Sequence, residues 1–378
     1  MPDFASPRRR DLLKGAIAAS ALAAPMINVG LFPLHAASPR RYSARAIEVV
    51  ERSLVIDMLA PHKIDFSPEA YSDPLTEEEA AEFRASGITG FHNAIGVGSR
   101  DGALTFMAAW QGFVGRNPEL FSLVDTAADL DEAKRQRKIA VIMGLQNASH
   151  FRNAEDVALF YGLGQRCAQL TYNAQNLLGS GSTERVDGGV TDYGVGIIEA
   201  MNEAGMLIDV SHSGDRTTLD AVELSPKSIA FTHSNCRALN DHPRTKTDEA
   251  IRKLAAKGGV MGITGVRNFI RDRDPTTIVH LVDHIDHVAK LTGIEHVGIG
   301  SDADLNGYDD MPPDQYKMLK ESYKSSYAFR GKIDTDGFDH PQKTYDLAEE
   351  LIRRGYTDAH IEAVLGGNFR RLLGATWA

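Results

Sequence analysis

Short apolar runs of strand length recur along this chain, and amphipathic stretches of helical length separate them. Runs of this kind are typical of strands that are buried on both faces. They are SLVID (53–57), GITGF (87–91), IAVIMGLQ (139–146), CAQLTY (167–172), MLIDVS (206–211), SIAFTH (228–233), VMGITG (260–265) and HVGIGSD (296–302). Eight such strands alternating with helices predict an α/β fold, the (β/α)8 or TIM barrel. ELFSLV (119–124) is a candidate accessory strand.

The N-terminal segment has the features of an export signal. Three arginines at 8–10 precede an alanine-rich, weakly apolar stretch at about 15–34. Paired arginines before such a stretch are typical of the twin-arginine export route. We therefore expect residues 1–37 to be removed and the mature protein to be periplasmic.

The alternative for this segment is an N-terminal membrane anchor. Pro25 and Asn28 interrupt the apolar stretch, and it contains no cysteine that could bear a lipid. We therefore expect no stable membrane anchor.

The remaining residues, 38–378, are predicted to form a single barrel domain, because no linker composition or repeat divides them. The longest irregular stretch is about 303–340, which follows the last predicted strand and is rich in Asp, Pro and Tyr. This excursion is interpreted either as a lid over the barrel mouth or as a surface segment.

The charge balance favours a small-molecule ligand. The chain has 41 basic and 51 acidic residues, a formal net charge of −10. Nucleic acids and anionic membranes need a basic face, so neither is an expected partner. The sequence leaves a homodimer open.

Histidines stand at the ends of two predicted strands, His212 after MLIDVS and His233 in SIAFTH. In a parallel barrel all strand C-termini open on one face, where active sites collect. A single histidine of this kind is often only hydrogen-bonded to a carbonyl. The pair, however, indicates a shared metal or substrate site, because imidazole is the commonest metal ligand.

Five segments resemble, in order, the membrane (renal) dipeptidase family of the amidohydrolase-type, metal-dependent hydrolase barrels. They are LTYNAQNLLGSG, MLIDVSHSGDRT, FTHSNCRALNDHPRTKTDEAIR, VDHIDHVAKLTGIEHVGIGSDAD and LGGNFRRLLGATW. The similarity extends from about residue 50 to the C-terminus. It implies a hydrolase in which two zinc ions cleave the peptide bond of dipeptides.

The resemblance assigns roles to four residues. His212 and His233 match the histidines that hold the second zinc. Arg244 matches the arginine that grips the substrate carboxylate, a task suited to a planar bidentate donor. Asp302 matches the aspartate that takes a proton from the attacking water.

Other positions depart from the family pattern. Leu59 and Pro61 stand where the first-strand His-x-Asp pair is expected, and Gln146 replaces the glutamate that bridges both metals. Tyr172 replaces a substrate-facing histidine. Gln146 and Tyr172 are therefore assigned to substrate binding. A neutral amide is a poor bridge between two dications, so a binuclear site is not expected.

We expect at most one divalent metal ion, with zinc the most suitable, or none. Three protein ligands plus water is the usual catalytic zinc arrangement, so a third ligand is needed beside the two histidines. The candidates are Gln146, Asp302, His62, His92 and His150.

The predicted function is that of an exported, metal-dependent hydrolase acting on a small dipeptide-like or amide substrate that bears a carboxylate. The alternative is a non-hydrolytic relative that reuses the pocket, either a lyase or isomerase or a periplasmic binding protein. The family resemblance favours the hydrolase. The replacement of expected metal ligands at Leu59, Pro61 and Gln146 favours the non-hydrolytic relative.

Replacing Arg9 and Arg10 together with Lys should leave the precursor in the cytoplasm, because the export machinery recognises the paired arginines. Cell fractionation followed by immunoblotting measures this. Unchanged recovery of the double variant from the periplasm would contradict the prediction.

Overall fold

Eight parallel strands close into a barrel in the computed structural model, which describes residues 41–61, 63 and 68–377. In chain order the strands are β1 (Ile56–Asp57), β2 (Gly90–Ile95), β3 (Phe121–Leu123), β4 (Ile139–Leu145), β5 (Gln165–Gln169), β6 (Leu207–Asp209), β7 (Ala230–Cys236), β8 (Thr245–Lys246), β9 (Val260–Ile263) and β10 (Val297–Ile299). The pairing runs β1, β2, β4, β5, β6, β7, β9, β10 and returns to β1. Each of the eight apolar runs contributes one strand, which confirms the predicted barrel.

Two short strands lie outside this circuit. β3 pairs with the beginning of β4, whereas β5 pairs with its later residues. β3 is the accessory strand predicted at 119–124. β8 pairs with the end of β7, where Asn235 is in register with Thr245.

The helices begin where the sequence supplies capping side chains. Thr191 accepts a hydrogen bond from the Gly194 N–H, and Thr247 accepts one from Ala250, so orphan donors are satisfied. The helices are α1 (Ala44–Arg52), α2 (Glu77–Ala85), α3 (Arg100–Arg116), α4 (Ala127–Arg135), α5 (Ala154–Gly162), α6 (Asp192–Ala204), α7 (Asp215–Leu224), α8 (Asp248–Ala256), α9 (Arg267–Ile270), α10 (Ile278–Thr292), α11 (Pro313–Ser322), α12 (Lys343–Arg353), α13 (Asp358–Glu362) and α14 (Asn368–Thr376). Among the described residues, no helix has the length and apolar character that a membrane span requires.

The C-terminal helix completes the barrel core. Phe369 and Leu372 of α14 are fully buried in one cluster with Ile56, Ile142 and Leu207 of the barrel strands. Because these contacts join the end of the chain to its first strand, α14 is an integral part of the barrel.

The 303–340 excursion packs against the barrel through a cluster of mainly aromatic residues. It contains α11, which has no buried residue, and it returns to the barrel through bridges from Asp334 to Val266 and from Asp336 to Thr277. Tyr327 and Ile333 pack with Val266 and Phe269. Whether the excursion moves as a lid stays a prediction, as do the domain bounds at residue 37, which lie outside the described residues.

Gly262 of β9 provides a test of barrel packing, because a Cβ atom there would lie 2.0 Å from the Thr232 carbonyl oxygen. A backbone atom of the neighbouring strand cannot move aside without disturbing the sheet. Gly262→Ala should therefore lower the free energy of unfolding by about 1–3 kcal/mol, as measured by denaturant titration.

The matched control is Gly196→Ala on the exposed side of α6, where nothing lies within 4 Å of the added carbon. There the alanine should stabilise the protein by up to about 1 kcal/mol, because glycine is a poor helix former. Equal unfolding midpoints for the two variants would contradict this account of the barrel.

Candidate active site

His212 and His233 meet at the C-terminal mouth of the barrel. His212 follows β6 and His233 lies in β7, and both side chains are buried. Their Nε2 atoms are 2.9 Å apart. The structure thus brings together the two histidines that the sequence places at strand ends.

Hydrogen bonds fix the protonation of both rings. The Nδ1 of His212 donates to the amide oxygen of Asn173 at 2.7 Å. The Nδ1 of His233 is 2.8 Å from the hydroxyl of Thr232, which itself donates to Asp209 at 2.7 Å. Since the Thr232 hydrogen is used on Asp209, His233 Nδ1 is the donor. Both Nε2 atoms therefore present lone pairs to each other.

Two facing lone pairs at this distance call for a cation between or beside them. A shared proton is disfavoured, because burial, followed by the charge of Arg244, holds the pKa of each histidine well below its usual range. The pair fits two ligands of one divalent metal ion, whose imidazole ligands must be neutral.

The residues expected for a second metal do not fit one. Leu59 and Pro61 give the pocket an aliphatic wall, and the Gln146 amide donates to the Ala94 carbonyl at 3.1 Å. In the described part of the chain, no three His, Cys, Asp or Glu side chains form a group suited to a metal ion.

The candidate third metal ligands differ in whether they line the pocket and in whether their ligand atoms are already hydrogen-bonded. Gln146 and Asp302 line the same pocket as His212. Both ring nitrogens of His150 are used, by Asn147 O at 2.9 Å and Gln165 Oε1 at 3.1 Å. The Nδ1 of His92 bonds to Met58 O at 2.8 Å, and its buried Nε2 has no partner among the described residues. His62 lies outside the described residues.

Asp302 presents a carboxyl group with an unusual pKa to the pocket. Its backbone has φ +61° and is held by a 2.8 Å bond from its N–H to Leu59 O. Burial raises its pKa to about 7; Arg244 opposes the shift, and Asp57 and Asp209 add to it. No hydrogen-bond partner of the carboxylate is found among the described residues. Such a group can accept and return a proton near neutral pH.

Arg244 is fully buried beside His233. Its guanidinium donates to the carbonyl of Ser211 and, at 3.3 Å, to that of His233. Its Nε has no partner among the described residues. Arg244 is not among the residues that line the pocket described below. Its role in gripping a carboxylate stays a prediction.

The pocket in front of these groups has a volume of about 360 Å³. The Tyr172 ring stacks on His212 with centroids 4.2 Å apart, and its hydroxyl is 2.8 Å from that of Tyr323. The lining residues are Leu59, Pro61, Ala94, Ile95, Gly96, Val97, Gln146, Tyr172, His212, Val266, Phe269, Asp302, Tyr308, Leu319, Tyr323, Tyr327, Phe329 and Ile333.

Several site residues were not predicted from the sequence. Asn173 and Thr232, which orient the histidines, lie within two of the quoted segments, but the resemblance gave them no role. The excursion tyrosines could have been found from the Tyr content of 303–340 beside the last strand.

A sequence model of the membrane dipeptidase family, peptidase family M19, matches residues 43–319. The chain belongs to this family. The family resemblance of the motifs is thereby confirmed.

Individual relatives agree with this membership. The chain is 30% identical to dipeptidase verJ of Clonostachys rogersoniana over 263 residues, which cover 69% of this chain and 61% of verJ. It is 35% identical to an uncharacterized dipeptidase of Schizosaccharomyces pombe over 189 residues, 48% of this chain and 45% of that protein. The matches thus span less than two thirds of either relative.

A solved structure covers more of the fold. The crystal structure of an amidohydrolase from Pseudomonas aeruginosa superposes with a TM-score of 0.77 and 28% identity. The match covers 88% of this chain and 99% of that one. This membrane dipeptidase family member therefore shares its barrel with an amidohydrolase.

Asp302 should make stability depend on pH. Its folded pKa of about 7 exceeds the unfolded value of 3.8, so the folded chain keeps a proton that the unfolded chain loses. The free energy of unfolding should fall as pH rises from about 4 to about 7, and the full loss should be present above about pH 7. Asp302→Asn should therefore be more stable than wild type at pH 8 by about 2–4 kcal/mol, and close to it at pH 4.

Denaturant titrations at the two pH values measure this difference. Asp310→Asn, the same change at an exposed site of the excursion, is the control and should follow wild type. An Asp302→Asn advantage that is equal at both pH values would contradict the assigned pKa.

Proposed function

We propose that this chain is an exported hydrolase of the dipeptidase type. It cleaves a small dipeptide-like or amide substrate that bears a carboxylate, with at most one divalent metal ion, zinc being the most suitable. The observation that supports this is that Asp302 and His212 line one pocket, and that His212 faces His233 at 2.9 Å. Family membership supports hydrolysis as the reaction.

His212 and His233 are the residues that would hold the ion. A bound zinc ion supplies Lewis-acid activation of water. Their Nδ1 atoms are anchored by Asn173 and Thr232, so the rings keep the tautomer that a metal requires.

Asp302 moves the proton. Its carboxylate has no hydrogen-bond partner in the described part of the chain, and with a pKa of about 7 it is partly ionised at neutral pH. It can therefore accept a proton from water and return it to the leaving nitrogen. The charge of Arg244, which donates to the His233 carbonyl, favours an anionic substrate group near the histidines.

A non-hydrolytic reaction is the second candidate, and the residues at Leu59, Pro61 and Gln146 favour it. These positions lack the carboxylates and histidine that a binuclear hydrolase uses. Asp302 could then shuttle a proton between two atoms of the substrate, as in an isomerase or lyase, or the pocket could only bind its ligand.

Hydrolysis of a dipeptide panel, followed by chromatographic detection of the released amino acids, tests the proposal. Asp302→Asn should lower the rate at least about 100-fold, because general acid–base catalysis contributes that much. His233→Ala should abolish hydrolysis.

Asp310→Asn is again the matched control and should retain wild-type rates. Unchanged hydrolysis in Asp302→Asn would contradict the assigned role. If wild type converts a bound compound without consuming water, the second candidate is correct instead.

A further inference from the structure

Aromatic rings form much of the pocket wall. The rings are those of Tyr172, Phe269, Tyr308, Tyr323, Tyr327 and Phe329. We propose that the substrate of this site carries an aromatic side chain beside its carboxylate. The inference deepens the proposed function, on which it rests for the carboxylate.

The aromatic wall is built mainly by the 303–340 excursion, and its rings support one another. The centroids of Tyr323 and Tyr327 are 4.6 Å apart. Phe329 is 5.5 Å from each of them, and its ring is at 80° to that of Tyr323. Phe269 packs on Tyr327 from the barrel side at 5.6 Å. The wall is therefore a surface of mutually packed rings that presents ring edges and faces.

Polar and apolar groups both line the pocket. His212, Asp302 and Gln146 provide polar groups, whereas Leu59 and Pro61 add aliphatic surface where metal ligands are expected. A ligand that matches this mixed lining has a polar amide or carboxylate head and a bulky apolar tail. Burial of the tail supplies affinity in proportion to its apolar area.

Aromatic tails fit this wall better than aliphatic ones. Ring pairs gain attraction beyond area burial when they stack offset or meet edge to face. A cationic tail is disfavoured, because the guanidinium of Arg244 already lies 5.3 Å from the Phe269 ring. That fixed charge repels a second cation near the same rings.

Achiral probes test the inference without turnover. We would titrate the full chain calorimetrically with 3-phenylpropanoate, 3-cyclohexylpropanoate, 3-(trimethylammonio)propanoate and propanoate. We expect the phenyl compound to bind at least about tenfold more tightly than propanoate and about threefold more tightly than the cyclohexyl compound. Equal or tighter binding of the cyclohexyl or trimethylammonio compound, or no binding of any probe, would overturn the inference.

Phe329→Leu removes one ring and keeps an apolar side chain. It should reduce the affinity for 3-phenylpropanoate to about that for the cyclohexyl compound. Phe338→Leu is the matched control, because Phe338 belongs to the same excursion but lines a separate small cavity with Lys343. It should keep the phenyl preference. Equal effects of the two changes would contradict the role of the aromatic wall.

The outcomes separate this inference from the proposed function. A phenyl preference in a protein that hydrolyses no dipeptide would sustain the aromatic site and contradict hydrolysis. Hydrolysis of aliphatic dipeptides without any phenyl preference would contradict the aromatic site alone.

Discussion

The carboxylate of Asp209 joins the two strand ends on which the site is built. It accepts bonds from the N–H and hydroxyl of Ser211 at 2.9 and 2.6 Å, and from those of Thr232 at 3.1 and 2.7 Å. In the ladder itself, β6 and β7 are in register only at Asp209 and Ala230. The buried carboxylate therefore replaces missing strand pairing, and four donors compensate for its desolvation.

The orientation of His233 depends on this link. Thr232 can accept from His233 only because its own hydrogen goes to Asp209, so the same carboxylate fixes the ring that faces His212. Lys246 reinforces the region from behind through bonds to the Val210 and Ser213 carbonyls at 2.7 and 2.9 Å. The histidine pair is thus held in place, although Leu59, Pro61 and Gln146 stand where the family resemblance leads us to expect further ligands.

The fold could be predicted from the sequence because buried parallel strands leave a local signature. β2 shows the limit of this signal: it runs from Gly90 to Ile95 rather than over 87–91, since the polar His92 and Asn93 are buried within it. His212 and His233 could be placed from their positions at strand ends, and Asp302 from the family resemblance of its motif. The buried setting of Arg244 and the aromatic wall could not, because they depend on contacts between segments far apart in the chain.

Metal analysis of the purified, dialysed protein by mass spectrometry tests the central claim most directly. The claim is that the described residues at the mouth of this barrel offer one facing pair of imidazole ligands and no second set. We predict at most one equivalent of divalent metal per chain, lost when His233 is replaced by Ala. Two equivalents retained reproducibly by the wild-type protein would contradict the account.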